Sequence, residues 1–202
     1  MVAKKITSKG YLVLTVIILL FISITTLLLL NTPSASFYLF IRLFALWGYT
    51  FLAIATILTP FLKETGRIFG RPFIKIHHIF AFTGLGLITL HPVSYSIETM
   101  SASVFKPVFD SWSGFWVNAG RPAIIILYLA LIAVLLRKKI KPWRIIHSLM
   151  YIVLLMGFVH GNLVGTDFTN TGILIIFSIL FGLAIITFVA KRIQIYRIRK
   201  RK

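Results

Sequence analysis

Five histidines fall into two groups: His77, His78 and His91 lie in one apolar stretch, His147 and His160 in another. Imidazole ligates transition metals through a neutral ring nitrogen, and it also exchanges protons near neutral pH. Ionisable groups placed in hydrocarbon are costly, so their concentration here marks function. A lone membrane histidine is ordinarily a hydrogen-bond partner between helices; five on two stretches need a further reason. There is no cysteine, which excludes disulfides, thiolate metal sites and covalent c-type haem attachment. Any redox centre is therefore held by histidine or not covalently held at all.

Spacing decides which rings share a face. His77 and His91 are fourteen residues apart, which in an α-helix leaves them about 40° apart around the axis and about 21 Å apart along it. His147 and His160 are thirteen apart, a rise of about 19.5 Å but an angular difference of about 140° in an ideal helix. Local over- or underwinding near Gly157, or imidazoles approaching their partners from the two flanks of the helix, would reconcile this second pair with a shared face.

The elements that position these rings are membrane helices. Hydrophobic residues make up 58% of the 202, and the only acids are Glu64, Glu98, Asp110 and Asp167. Six apolar segments, roughly 11–30, 37–62, 75–97, 120–137, 143–163 and 171–190, have the length needed to span a hydrocarbon core. The expected fold class is an all-α membrane protein, a six-transmembrane-helix bundle forming a single domain over 1–202 with a basic cytoplasmic tail at 191–202. Connections this short leave no room for a nucleotide-binding fold. The first stretch, Tyr11 to Leu30, follows Lys4, Lys5 and Lys9 but is too long for a signal peptide, and Asn31-Thr32-Pro33-Ser34 is a poor cleavage site, so it reads as a retained helix.

A net charge of +18 suggests nucleic acid at first sight. The basic residues, however, gather between apolar stretches and not over one solvated face, which excludes nucleic acid as the partner. All 22 but Arg42, Lys106 and Arg121 lie in the N-terminus, in Lys63 to Lys75, in Arg137 to Arg144 or in the tail Lys191 to Lys202. By the positive-inside rule both termini are cytoplasmic, in a multi-pass protein of the plasma membrane whose partner surface is the lipid bilayer.

Both histidine-bearing helices then run outward from a basic connection, which puts His77 and His147 at an inner level and His91 and His160 at an outer one. A haem iron with a neutral imidazole on each axial side is six-coordinate and suited to passing electrons, and its apolar macrocycle suits a bundle interior. Two inner and two outer ligands make sites for two haem b groups, with a single haem left open as the alternative.

Other residues are candidates around these sites. Gly84, seven residues from each of His77 and His91, shares their face and leaves room for a macrocycle, an aromatic ring or a packed helix. Arg42, in an apolar segment near its outer end, either pairs with a haem propionate or snorkels to the interface. Lys75 and Arg144 stand close before the inner ligands and serve inner propionates or the positive-inside pattern alone. Pro92 directly follows His91 and disfavours straight helix there. The outer connection, Met100 to Gly120, holds Phe105, Phe109, Trp112, Phe115 and Trp116, either an interfacial belt or a lid over a buried cofactor.

With His-x13-His and His-x12-His on the third and fifth of six helices, the chain resembles the ferric reductase-like transmembrane domain family. That family includes ferric reductases, NADPH oxidases and the haem subunit of a bacterial methionine sulfoxide reductase. The resemblance runs from about Phe40 to Asp167 and takes in Arg42 with Gly48, His77-His78-Ile79-Phe80-Ala81, Trp143 before His147, and His160-Gly161 leading to Gly165-Thr166-Asp167. It implies inner-haem ligation by His77 and His147 and outer-haem ligation by His91 and His160. The family commonly has a basic residue directly after its first histidine and a glycine four after it, where this chain has His78 and Ala81. His78 therefore stays open as a propionate partner or as the ligand in place of His77.

The resemblance implies a transmembrane b-type di-haem cytochrome that moves electrons from a cytoplasmic flavoprotein or membrane quinol to an outer acceptor. It is an oxidoreductase component, with flavin and NAD(P)H expected only on a partner chain because a twelve-residue basic tail follows Ala190. One alternative makes it the haem membrane subunit for an extracytoplasmic methionine sulfoxide reductase. Another is a histidine-lined metal or proton transporter, against which stands the lack of a carboxylate central in any helix.

Overall fold

A computed structural model describes residues 5–32 and 36–200, and these hold helices and no strand. Lys4, Pro33, Ser34, Arg201 and Lys202 lie outside the described residues. Helix α1 spans Ser8–Leu30, and its first turn is capped by the Thr7 hydroxyl, which accepts from the Gly10 amide at 3.2 Å. Helix α2 spans Phe37–Leu58 and passes through a tight turn at Thr59–Phe61 into α3, Leu62–Phe69. Gly70 ends α3 in the left-handed region, at φ 61°, where a residue without Cβ is at no disadvantage.

Helix α4 is Phe73–Glu98 and continues as helix through Pro92. The connection from Met100 to Gly120 is less irregular than its composition suggests, because it contains α5, Trp112–Val117. Helix α6 follows as Gly120–Leu135. The fifth apolar segment is two pieces, α7 at Trp143–His147 and α8 at Met150–Val164. Helix α9 runs Thr171–Lys200, so residues 191–200, expected as a separate tail, continue the last helix.

Among the described residues, five stretches are long and apolar enough to cross a membrane: Ser8–Leu30, Phe37–Phe69, Phe73–Glu98, Trp143–Val164 and Thr171–Gln194. Gly120–Leu135 is apolar but only 16 residues long, about 24 Å against a core of about 30 Å. The outward faces match a hydrocarbon solvent. Leu12, Val16 and Leu19 on α1, Ile79 and Phe82 on α4, and Ile175, Ile179 and Ile186 on α9 are all more than half exposed. An apolar surface of that extent is stable in lipid and not in water, which makes this a membrane protein.

Helix α2 is the centre of the bundle, buried at most positions from Ile41 to Thr56. It lies against α4 along much of its length, while α8 lies against α6 and α9, and α4 and α8 hardly touch. Two glycines permit the α2–α4 approach. A Cβ on Gly48 would stand 2.8 Å from the Ile88 amide nitrogen, and one on Gly84 would stand 2.9 Å from that of Leu52. Both are backbone atoms, so the helices themselves would have to part. Gly86, by contrast, faces open space. Gly48→Ala should therefore destabilise the protein by about 1–3 kcal/mol, as overpacking does, whereas Gly86→Ala should be neutral or slightly stabilising. Unfolding of the two variants side by side in the same lipid or detergent measures the difference.

Candidate functional site

The histidines of α4 come near those of α7 and α8 at two places, His77 beside His147 and His91 with His160 on one cavity. On α4, His77 and His91 take the shared face that fourteen-residue spacing gives. On α8 the angular mismatch is reduced by a local tightening directly after His147. Ser148, Leu149 and Tyr151 donate their amides to the carbonyls three residues back, Ile145, Ile146 and Ser148, at 3.0, 3.0 and 3.2 Å. About three steps of 120° in place of 100° reduce the angle between His147 and His160 from about 140° to about 80°. The overwinding thus sits at Ser148 to Tyr151 and not near Gly157.

His91 and His160 line one cavity of about 340 Å³, within the size range of small-molecule sites. Each ring is fixed from behind. His91 Nδ1 lies 3.0 Å from the Ile41 carbonyl oxygen of α2, and His160 Nδ1 lies 2.7 Å from that of Val117. A carbonyl only accepts, so Nδ1 carries the proton in both rings and Nε2 holds the lone pair. Ligand histidines are commonly oriented in this way by a backbone carbonyl behind the ring. Val117 closes α5, and its carbonyl is one that a helix end leaves without an intrahelical partner. Gly120 lies against the other edge of the His160 ring, where a Cβ would come to 3.0 Å from Nε2.

At the other level, His77 and His147 face each other with ring centroids 6.4 Å apart and planes at 79°. Two imidazoles sharing one metal axially, with bonds of about 2 Å, place their centroids about 6 Å apart. His77 Nδ1 is 3.4 Å from the Ala55 carbonyl oxygen, and Phe73 stacks on the ring at 5.5 Å. His147 Nδ1 is buried without a partner. His78 is exposed and packs on Phe82 at 5.4 Å, so it is His77 that meets His147.

The remaining candidates fall in unexpected places. Arg42 neither snorkels nor stands free for a propionate: it pairs with Asp167, its Nε 3.0 and 3.1 Å from the two carboxylate oxygens and its Nη2 also bonded to Oδ1. Its Nη1 donates to Thr32 at 2.8 Å, which ties the ends of α1 and α8 to α2 beside the cavity. Both charged side chains are nearly buried, 13% and 7% exposed. Gly84 faces Leu52 and not the cavity, so its role is packing. Lys75 is exposed, and Arg144 lies over the Trp143 ring at 5.3 Å.

The connection from Met100 to Gly120 lines the cavity with Val104 and Phe105 and is held by Arg121, which donates to the Ser103 and Lys106 carbonyls at 3.2 and 3.0 Å. Phe109 and Trp112 are exposed, whereas Phe115 and Trp116 pack on the core.

Sequence reasoning missed Asp167 as the partner of Arg42, though an acid and a base both near outer helix ends were the signal for it. It also missed Tyr49, which lines the cavity and shares the Arg42 face of α2 at a spacing of seven. Among the described residues no three histidine or acidic side chains converge as a metal-ion site. The arrangement is one pair of imidazoles in close approach, His77 and His147, and a second pair, His91 and His160, that lines one cavity. The chain matches no known family model, no curated protein and no solved structure in comparisons with each.

Removing one member of a buried ion pair leaves the other charge unpaired. Arg42→Ala or Asp167→Leu alone should destabilise the protein by about 3–5 kcal/mol, and the double variant Arg42→Met, Asp167→Leu by less than the sum of the two. Unfolding of the four proteins in one double-mutant cycle measures the coupling.

Proposed function

We propose that the protein is a transmembrane b-type cytochrome of the ferric reductase-like kind, which holds two haems and connects an inner electron donor to an outer acceptor. The observation that carries this reading is the placing of the imidazoles in two pairs, His77 beside His147 and His91 with His160 on one cavity, the latter two held by Nδ1–H bonds that leave Nε2 without a hydrogen bond. A macrocycle supplies four nitrogens of its own, so two protein ligands suffice for it, whereas a bare zinc-type ion takes three or four from the protein. That difference favours haem over a metal-ion transporter.

His77 and His147 hold the inner group, and His91 and His160 the outer one. Bound between two imidazoles, haem supplies one-electron transfer without a change of ligands. The chain positions the rings and closes the outer site with Phe105 and Val104. The topology that goes with this function has six spans, with the short α6 counted as one and extended by α5, and both termini on the cytoplasmic side of the plasma membrane. The donor is then a cytoplasmic flavoprotein, which brings its own flavin and NAD(P)H, or a membrane quinol. The acceptor is a small outer molecule or an extracytoplasmic reductase.

The test is a visible spectrum of the purified protein, oxidised and then reduced with dithionite, with haem quantified per chain. The expected result is a b-type α band on reduction and two haems per chain, one lost in His77→Ala and one in His91→Ala. A wild-type protein without haem ends the reading, and loss of both haems from either single change contradicts the separation into two levels.

A further inference from the structure

Tyr49 is the buried polar group that the ligand scheme leaves unused. It is 7% exposed, it lines the cavity that holds His91 and His160, and its hydroxyl has no hydrogen-bond partner among the described residues. A buried hydroxyl without a partner is destabilising, and native structures seldom keep one without a use. Its neighbours on α2 fix its depth. Ile41, whose carbonyl holds His91, is eight residues before it, and Ala55, whose carbonyl faces His77, is six after it. The ring therefore stands between the two histidine levels.

The ring is also held rigidly. It packs on Phe177 with centroids 5.2 Å apart, and Gly157 of α8 leaves it room, since a Cβ there would come within 3.3 Å of Tyr49 Cδ2. Rigid ring packing combined with an unpaired hydroxyl separates two roles. A phenylalanine would fill the space equally well, so the oxygen serves something other than packing. With no protein acceptor to hold it, the O–H dipole is free to rotate toward negative charge. In a low-dielectric surrounding such a dipole acts strongly on a charge formed nearby.

We propose that Tyr49 is a positioning residue for the outer site, its hydroxyl dipole stabilising the extra negative charge that a group bound between His91 and His160 acquires on reduction. This rests on the haem reading above. It makes the outer site easier to reduce than the imidazole pair alone would, and it acts on the inner site less, because Gly157, against which the ring edge packs, is three residues from His160 and ten from His147.

The experiment is a spectroscopic redox titration of the full-length protein, wild type against Tyr49→Phe, with haem counted in each and unfolding followed in the haem-depleted protein. Two haems per chain are expected in both. The transition that disappears in His91→Ala should move to lower potential in Tyr49→Phe, so that at a fixed ambient potential its reduced-to-oxidised ratio falls about fivefold. The haem-depleted variant should be no less stable than wild type, because only an unpaired hydroxyl has been removed. Two haems with both transitions at their wild-type potentials would overturn the role of Tyr49 while leaving the cytochrome reading intact. A wild-type protein that binds no haem would overturn both. A Tyr49→Phe chain that loses haem, or shifts both transitions equally, would show that the hydroxyl is a packing element and sink the proposal.

Discussion

The close approach of α2 and α4 is the contact on which the rest of the site depends. Gly48 and Gly84 let the two backbones touch near Ile88 and Leu52, and only at that separation do α2 carbonyls come within reach of imidazoles on α4. The Ile41 carbonyl then accepts a hydrogen bond from His91 Nδ1, and the Ala55 carbonyl faces His77 Nδ1. Packing between two helices thereby sets the tautomer and the aim of the histidines. If the helices separate by the width of a methyl group, the rings lose the partners that orient them.

The bilayer interior enforces the same accounting elsewhere, because a polar group there cannot turn to water. Thr50 and Thr56 return their hydroxyls to carbonyls four residues back, each at 2.8 Å. Arg42 and Asp167 neutralise each other. Among the described residues, the buried side-chain polar atoms left without a partner are the Tyr49 hydroxyl and His147 Nδ1. The first lines the cavity with His91 and His160, and the second is on the ring that meets His77.

Much of this was legible in the sequence, though unevenly. Apolar stretches gave most of the long helices to within a few residues, because bilayer thickness constrains them strongly, whereas the end of α9 runs ten residues past the expected 190. The spacing of His77 and His91 placed both on one face of α4 because that helix is regular. The α8 pair resisted the same arithmetic, since it depends on three i to i+3 hydrogen bonds after His147 that no residue type there announces. Arg42 was conspicuous but its partner was not: Asp167 lies 125 residues away in a turn, and only the tertiary fold joins them. The carbonyls of Ile41 and Val117 carry no sequence signature at all, because every residue has one.

The central claim is that imidazoles meet in pairs on a shared iron at two levels. Low-temperature electron paramagnetic resonance of the oxidised, full-length protein tests it most directly, because spin state reports axial ligation whatever the donor or acceptor. Two low-spin ferric signals of the bis-imidazole type are predicted, with one abolished in His160→Ala and the other in His147→Ala. A high-spin ferric signal in the wild type, or a single signal removed by either change, would contradict the account.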